Sequence, residues 1–165
     1  MSFLPEGYEV PTSSTGYMKL SQGENKFRIL SSAMLGVEIW TTDNKPVRFR
    51  PDEKFPMKPE YRDSPKHFWA FIVWNYKEER LQILELTQKT IMNAINSLTR
   101  NQKWGSPFDY DLVVSREGEG LETTYTVAPD PKEALDAEIK EQYESTKDSI
   151  NIEALYDGED PFENV

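Results

Sequence analysis

The stretch Lys66 to Tyr76, KHFWAFIVWNY, constrains this chain more than any other. Side chains of a strand alternate between two faces, and a strand covered on one side needs apolar residues only at alternate positions. Here both sets carry rings. Trp69 and Phe71 fall on one face, and Phe68, Trp74 and Tyr76 on the other. One face builds a core. The second set calls for another purpose, either a second cover or a surface where rings act directly.

The rest of the chain reads mostly as strands. Met1 to Gly16, with its PTSST run, is an irregular lead-in. Lys26–Leu30 and Val37–Trp40 alternate, TTDNKP marks a turn, and Val47–Arg50 resumes the alternation. Arg50 to Pro65, rich in proline and charge, reads as a long exposed loop. Lys66–Tyr76 is followed by a KEER turn and the strand Leu81–Leu86. Thr87 is the expected N-cap of a helix with Ile91, Ile95 and Leu98 at helical spacing. Asp111–Ser115 and Thr123–Val127 complete the strands across the glycine-rich REGEGLE. This order predicts a mainly β fold, a five-stranded barrel of the oligonucleotide-binding type with one inserted helix, over residues 17–128. A small antiparallel sandwich with one helix is the competing architecture.

After Ala128 the composition changes. Asp130-Pro131-Lys132-Glu133 has the form of a helix start, and Leu135, Ile139 and Tyr143 give that helix a thin apolar stripe through residue 144. Residues 145–165 are acidic with scattered Ile, Leu and Tyr, and little apolar surface stands against the cost of ordering them. They are expected to form a flexible tail.

Charge sharpens this division. The net charge is −10, but Met1–Ala128 holds 16 basic and 17 acidic side chains, whereas Pro129–Val165 holds 3 and 12. Within the first part, Lys45–Lys66 carries seven basic against four acidic groups. The chain is a near-neutral domain with a basic region and an acidic appendage. It has no cysteine, which removes disulfides, zinc–thiolate sites and thiol nucleophiles together and suits a reducing cytoplasm. The N-terminus shows no secretory pattern, and no stretch approaches the roughly 18 apolar residues of a membrane span.

The second ring set can now be placed. A two-residue turn at Glu78-Glu79 sets Phe71 opposite Leu86 and Val73 opposite Leu84 on the core face. The other face then pairs Tyr76 with Leu81, Trp74 with Ile83 and Ile72 with Glu85, and is only partly buried. The earlier strands bring Lys26, Arg28, Trp40, Arg48 and Arg50 to that same outer face. Bases stack on aromatic side chains while Lys and Arg neutralise phosphates, so shared rings and cations are the chemistry of a single-strand binder. The candidate DNA contacts are the rings Trp40, Phe68, Trp74 and Tyr76, with the cations Lys26, Arg28, Lys45, Arg48, Arg50, Lys66, Lys77 and Arg80. A second small core beneath the long loop is the structural alternative for Trp74 and Tyr76.

Three stretches also carry a resemblance: KLSQGENKFRIL, then GVEIWTTDNKPVR, then HFWAFIVWNY…LQILELTQKTI. From about Met18 to Ala128 the chain resembles the single-stranded DNA-binding proteins of tailed phages. Lys19, Leu20, Gly23, Asn25, Arg28, Ile29 and Leu30 carry its most specific piece. The resemblance implies an oligonucleotide-binding barrel that coats DNA during replication, recombination and repair. It also implies an acidic tail that recruits a polymerase, helicase or primase and competes with DNA for the groove. Asp157, Glu159, Asp160 and Phe162 are the corresponding tail residues. Such tails commonly close on a Phe, whereas here Glu163, Asn164 and Val165 follow Phe162.

Catalysis is weakly signalled. Asp52 and Glu53 in PDEK are letters also found in metal-dependent nucleases, but they lie in a loop rather than on strands. Gly118-Glu119-Gly120 lacks the spacing of a phosphate-binding loop, and His67 is the lone histidine. The expectation is a non-enzymatic protein without cofactor or metal, in the cytoplasm of the host cell if phage-encoded. Monomer and homodimer both stay open. A virion or scaffold protein that uses the rings as a protein interface is the alternative.

Overall fold

In the computed structural model, residues 2–7, 16–54, 57–62 and 64–165 are described. Most of the expected N-terminal lead-in, including PTSST, lies outside the described residues, as do three positions of the Arg50–Pro65 loop. The chain runs β1 (Gly23–Ile29), β2 (Met34–Trp40), β3 (Pro46–Phe49), β4 (Lys66–Asn75), β5 (Arg80–Leu86), α1 (Lys89–Arg100), β6 (Asp111–Glu117), β7 (Thr124–Pro129) and α2 (Ala137–Thr146). Tight helix follows at Lys147–Ser149, a single turn, and at Ile152–Asp157.

β4 organises the sheet. Along one edge it pairs with β5 from Trp69 to Asn75. Along the other it takes β2 (Glu38 opposite Lys66, Met34 opposite Ala70) and then β1 (Ile29 opposite Val73, Phe27 opposite Asn75). β1 and β2 thus act as one strand interrupted at Leu30–Ala33. Ile72 bridges the interruption: its N–H donates to Ser31 Oγ, and its carbonyl accepts from the Leu30 N–H. Beyond this composite strand the sheet forks, to β6 and β7 at one end and to β3 at the other. It is an antiparallel seven-stranded sheet that hydrogen bonds do not close into a barrel. The expected five-stranded barrel is corrected on this point.

β3, β5 and β7 each pair with a single other strand, so the sheet keeps its edges. Both faces of β4 are covered. On the first, α1 lays Ile91, Met92 and Ile95 over Phe27, Phe71, Val73, Leu84, Leu86 and Leu112. On the second, Phe68, Ala70, Ile72, Trp74, Leu81 and Ile83 meet Ile139 of α2 and Ile150 and Leu155 of the segment beyond it. Fully burying one such side chain contributes roughly 1.5–3 kcal/mol, so the second cluster is a core in its own right. Gly36 is part of it, because a Cβ there would stand 2.6 Å from the Phe68 ring and 2.5 Å from the Phe49 carbonyl oxygen.

Several local expectations change for identifiable reasons. The segment 145–165, expected to be flexible, packs against the sheet, with Ala154 and Leu155 buried and the Asn151 N–H donating to the Pro161 carbonyl. The expected helix start at Asp130 is not used: the N–H of Asp130 bonds the Asp111 carbonyl and that of Glu133 the Asp109 carbonyl. α2 starts instead behind Asp136, whose carboxylate accepts from the Glu138 N–H. At α1 the N-cap position falls to Gln88 rather than Thr87. The β4–β5 hairpin is two residues out of the expected register, with Phe71 opposite Leu84 and Trp74 opposite Leu81. Asn75 Oδ1 accepts from the Lys77 N–H and ends the ladder early, leaving a four-residue loop that closes with Glu79 at a left-handed φ of 51°. A slip of two preserves the alternation, so every side chain keeps its expected face.

Candidate nucleic-acid interface

The rings and cations singled out from the sequence do gather on one face. Arg28 stands directly opposite Trp74, and Arg48 opposite Glu38, two residues from Trp40. That face is closed. Phe68 is fully buried and Trp74 is 8% exposed, so neither offers a ring to a base while the C-terminal segment is in place. The expectation of a half-exposed ring surface is corrected accordingly. The second ring set meets a second cover, formed by the chain's own C-terminal segment, and none of the described residues of the Arg50–Pro65 loop joins that cluster.

Most of the cations there are held by carboxylates. Arg28 is buried, its Nε 2.7 Å from Asp111 Oδ1, and its remaining nitrogens donate to the carbonyls of Phe108 and Glu133. Arg48 bridges Glu85 at 2.7 Å and Glu38 at 3.4 Å. Glu38 also accepts from Trp40 Nε1 at 2.8 Å, which fixes that ring. Lys26 lies 3.3 Å from Asp130 and above the Tyr76 ring. The Tyr76 hydroxyl donates to Asp111, and burial together with that carboxylate raises its pKa. Arg50 stands 4.5 Å from the centroid of Tyr156, a residue of the covering segment.

The remaining candidates lie apart. Lys45 is exposed on the β2–β3 turn, Lys77 is exposed on the β4–β5 loop, and Arg80 is half-buried beside it. Lys66 is exposed at the start of β4. Of the tail residues, Asp157 and Glu159 are exposed, Asp160 accepts from the Phe162 N–H, and the Phe162 ring packs against the second core. The PDEK carboxylates stay in a loop, where Glu53 accepts from the Arg50 N–H. Among the described residues, no group of three His, Asp or Glu is arranged to hold a metal ion. None of their helices is long and apolar enough to cross a membrane.

Among the described residues, a cleft of about 370 Å³ lies beside Arg28, lined by Phe108, Lys132 and Leu135, and two more open on the other side of β4. A cleft of about 620 Å³ lies between the start of β4 and α1, and a second of about 300 Å³ between α1 and the β1–β2 junction. Trp69 and Asn96 line both. Sequence reasoning placed Trp69 on the core face and stopped there. The signal beyond alternation is position: Trp69 pairs with Leu35, which is 43% exposed, in the first half of β4.

This is a two-core, mainly β domain with rings and cations concentrated around its central strand. A stretch of 74 residues, 45% of the chain, is 28% identical to a protein of Escherichia phage T5 described as a probable ssDNA-binding protein. The chain spans about a quarter (26%) of the length of that relative. No family model and no solved structure matches the chain.

Proposed function

We propose that this protein binds single-stranded DNA without reading its sequence, in support of phage DNA replication, recombination and repair. The observation that carries the proposal is the likeness to a phage protein described as a probable ssDNA-binding protein. The chemistry of the domain supports it. Exposed lysines, among them Lys45, Lys66 and Lys77, surround a domain whose negative charge is displaced to its C-terminal segment, and such cations bind the phosphate chain without regard to sequence. The protein acts as a binder rather than a catalyst. Its acidic C-terminal segment, with Asp157, Glu159, Asp160 and Phe162, is the surface offered to replication enzymes. A strand reaches the Trp74–Tyr76 face only if this segment lifts away.

Titration with oligo(dT) and with duplex DNA, at two salt concentrations, tests the reading. The expected outcome is preference for the single strand and affinity that falls with salt at a log–log slope of roughly −0.7 per phosphate contacted. Equal affinity for duplex, or no binding at low salt, sinks it.

A further inference from the structure

We infer that the single strand is taken by the cleft around Trp69, on the face of the sheet opposite the C-terminal segment. The inference rests on the single-strand reading and adds to it a location that needs no part of the structure to open.

Three observations point there. The two clefts share Trp69, so this ring is bordered by open space on two sides, unlike Phe68 and Trp74. Its neighbours continue an apolar platform: Leu35 is opposite it on β2, and Phe108, 45% exposed, lines the far end. Every base has a flat apolar face, so a platform of this kind accepts any sequence.

The second observation is charge. The chain carries 29 acidic side chains, yet neither cleft is lined by an Asp or a Glu. Lys66, His67 and Lys89 are among the residues that line the larger cleft. Among the described residues no ion pair engages Lys66 or Lys89, in contrast to Arg28 and Arg48 on the other face. An anionic chain is the ligand that such a lining favours over the rest of this acidic surface.

The third is the hydrogen-bonding inventory. Asn93 and Asn96 of α1 face the cleft, with Ser31, Ser32 and Thr99 farther along. Amides and hydroxyls both donate and accept, and can meet base edges or sugar–phosphate oxygens without selecting one base. Lys89, Asn93, Asn96 and Thr99 follow one another along α1, with Trp69 of β4 beside them, which suits an extended strand better than a compact ligand.

The test uses the full chain. Lys66→Glu/Lys89→Glu changes two exposed residues of the cleft lining, and Lys140→Glu/Lys147→Glu makes the same charge change on α2 and the turn just beyond it. Affinity for oligo(dT) is measured by fluorescence anisotropy, with thermal melting to check that each variant folds. The expected result is a loss of about tenfold or more at low salt for the first pair, with the salt slope flattened by about 1.4. The second pair stays within about twofold, since its charges are remote from the strand. Phe108→Ser, an exposed position, weakens binding without changing the salt slope. If wild type does not bind oligo(dT), the single-strand reading itself fails. If wild type binds and the first pair binds equally well, that reading survives and the cleft is wrong. Equal losses in both pairs reduce the effect to net charge and overturn the cleft. So does displacement of oligo(dT) by polyglutamate of equal charge at equal concentration, which makes the cleft an acidic-peptide site.

Discussion

The Phe162 ring occupies the space that a side chain on Gly16 would need: a Cβ built on Gly16 stands 2.2 Å from Phe162 Cε2. Gly16 is also tied to the sheet, its carbonyl accepting from the Ile83 N–H of β5. The end of the acidic segment is therefore docked against a backbone that approaches closely because it carries no side chain.

This contact gives a way to loosen the segment without removing a charge. Gly16→Ala forces the ring away, and overpacking of this kind costs roughly 1–3 kcal/mol. Limited proteolysis and hydrogen exchange should find Ile150–Phe162 less protected in the variant. Affinity for oligo(dT) should change by less than about twofold, because the Trp69 cleft shares no partner with this contact. A large gain in affinity at low salt would place the strand on the Trp74 face instead.

Removal of rings from the two faces should cost similar amounts. Phe71→Ala empties the first core and Trp74→Ala the second, and each is expected to destabilise by about 3–5 kcal/mol. Leu155→Ala, in the acidic segment, should cost about 2–5 kcal/mol for the same reason. Urea denaturation measures all three. A negligible loss for Leu155→Ala would mean that the segment is not part of the folded unit.

Arg28 and Lys77 should separate cleanly. Arg28 is buried against Asp111, and removing one member of such a pair leaves the other charge uncompensated, which costs about 3–5 kcal/mol. Lys77 is exposed, and Lys77→Ala should stay within about 0.5 kcal/mol. Thermal melting of Arg28→Ala and Lys77→Ala checks the contrast. Equal stability of the two variants would remove the structural role assigned to Arg28.

Alkaline pH should unfold the protein through its tyrosines. Burial raises the phenol pKa of Tyr17, Tyr76, Tyr110, Tyr143 and Tyr156, and at Tyr76 the Asp111 carboxylate adds to the effect. A phenol that holds its proton longer when folded contributes stability fully below its unfolded value of about 10 and loses it as pH rises toward the folded value. Stability should be level up to that point and fall above it. Tyr76→Phe should make the fall shallower. An equally steep fall in Tyr76→Phe would show that Tyr76 does not contribute to it.

Much of this architecture is legible in short windows of sequence. The alternation in Lys66–Tyr76 assigns Phe71 and Val73 to one face and Phe68, Ile72 and Trp74 to the other, and two-residue slips of register leave those faces intact. The spacing of Ile91, Ile95 and Leu98 marks the buried side of α1, and the charge count divides the chain near Ala128. Each of these follows from the local repeat of a helix or strand, or from composition. What covers the second face does not. Ile139, Ile150, Leu155 and Phe162 are spread over some two dozen residues with no sustained period, and taken alone they bury too little to offset the ordering of an acidic segment. They become a core because β4 has already assembled Phe68, Ile72 and Trp74 into a matching surface. Arg28 shows the same limit: its position on the strand is local information, while its burial depends on Asp111, 83 residues later, reaching it across the β1–β6 ladder. Alternation and composition act between neighbours and are determined by the sequence directly. Coverage, pairing and the open cleft at Trp69 depend on which distant segments meet, and that is decided only when the whole sheet forms.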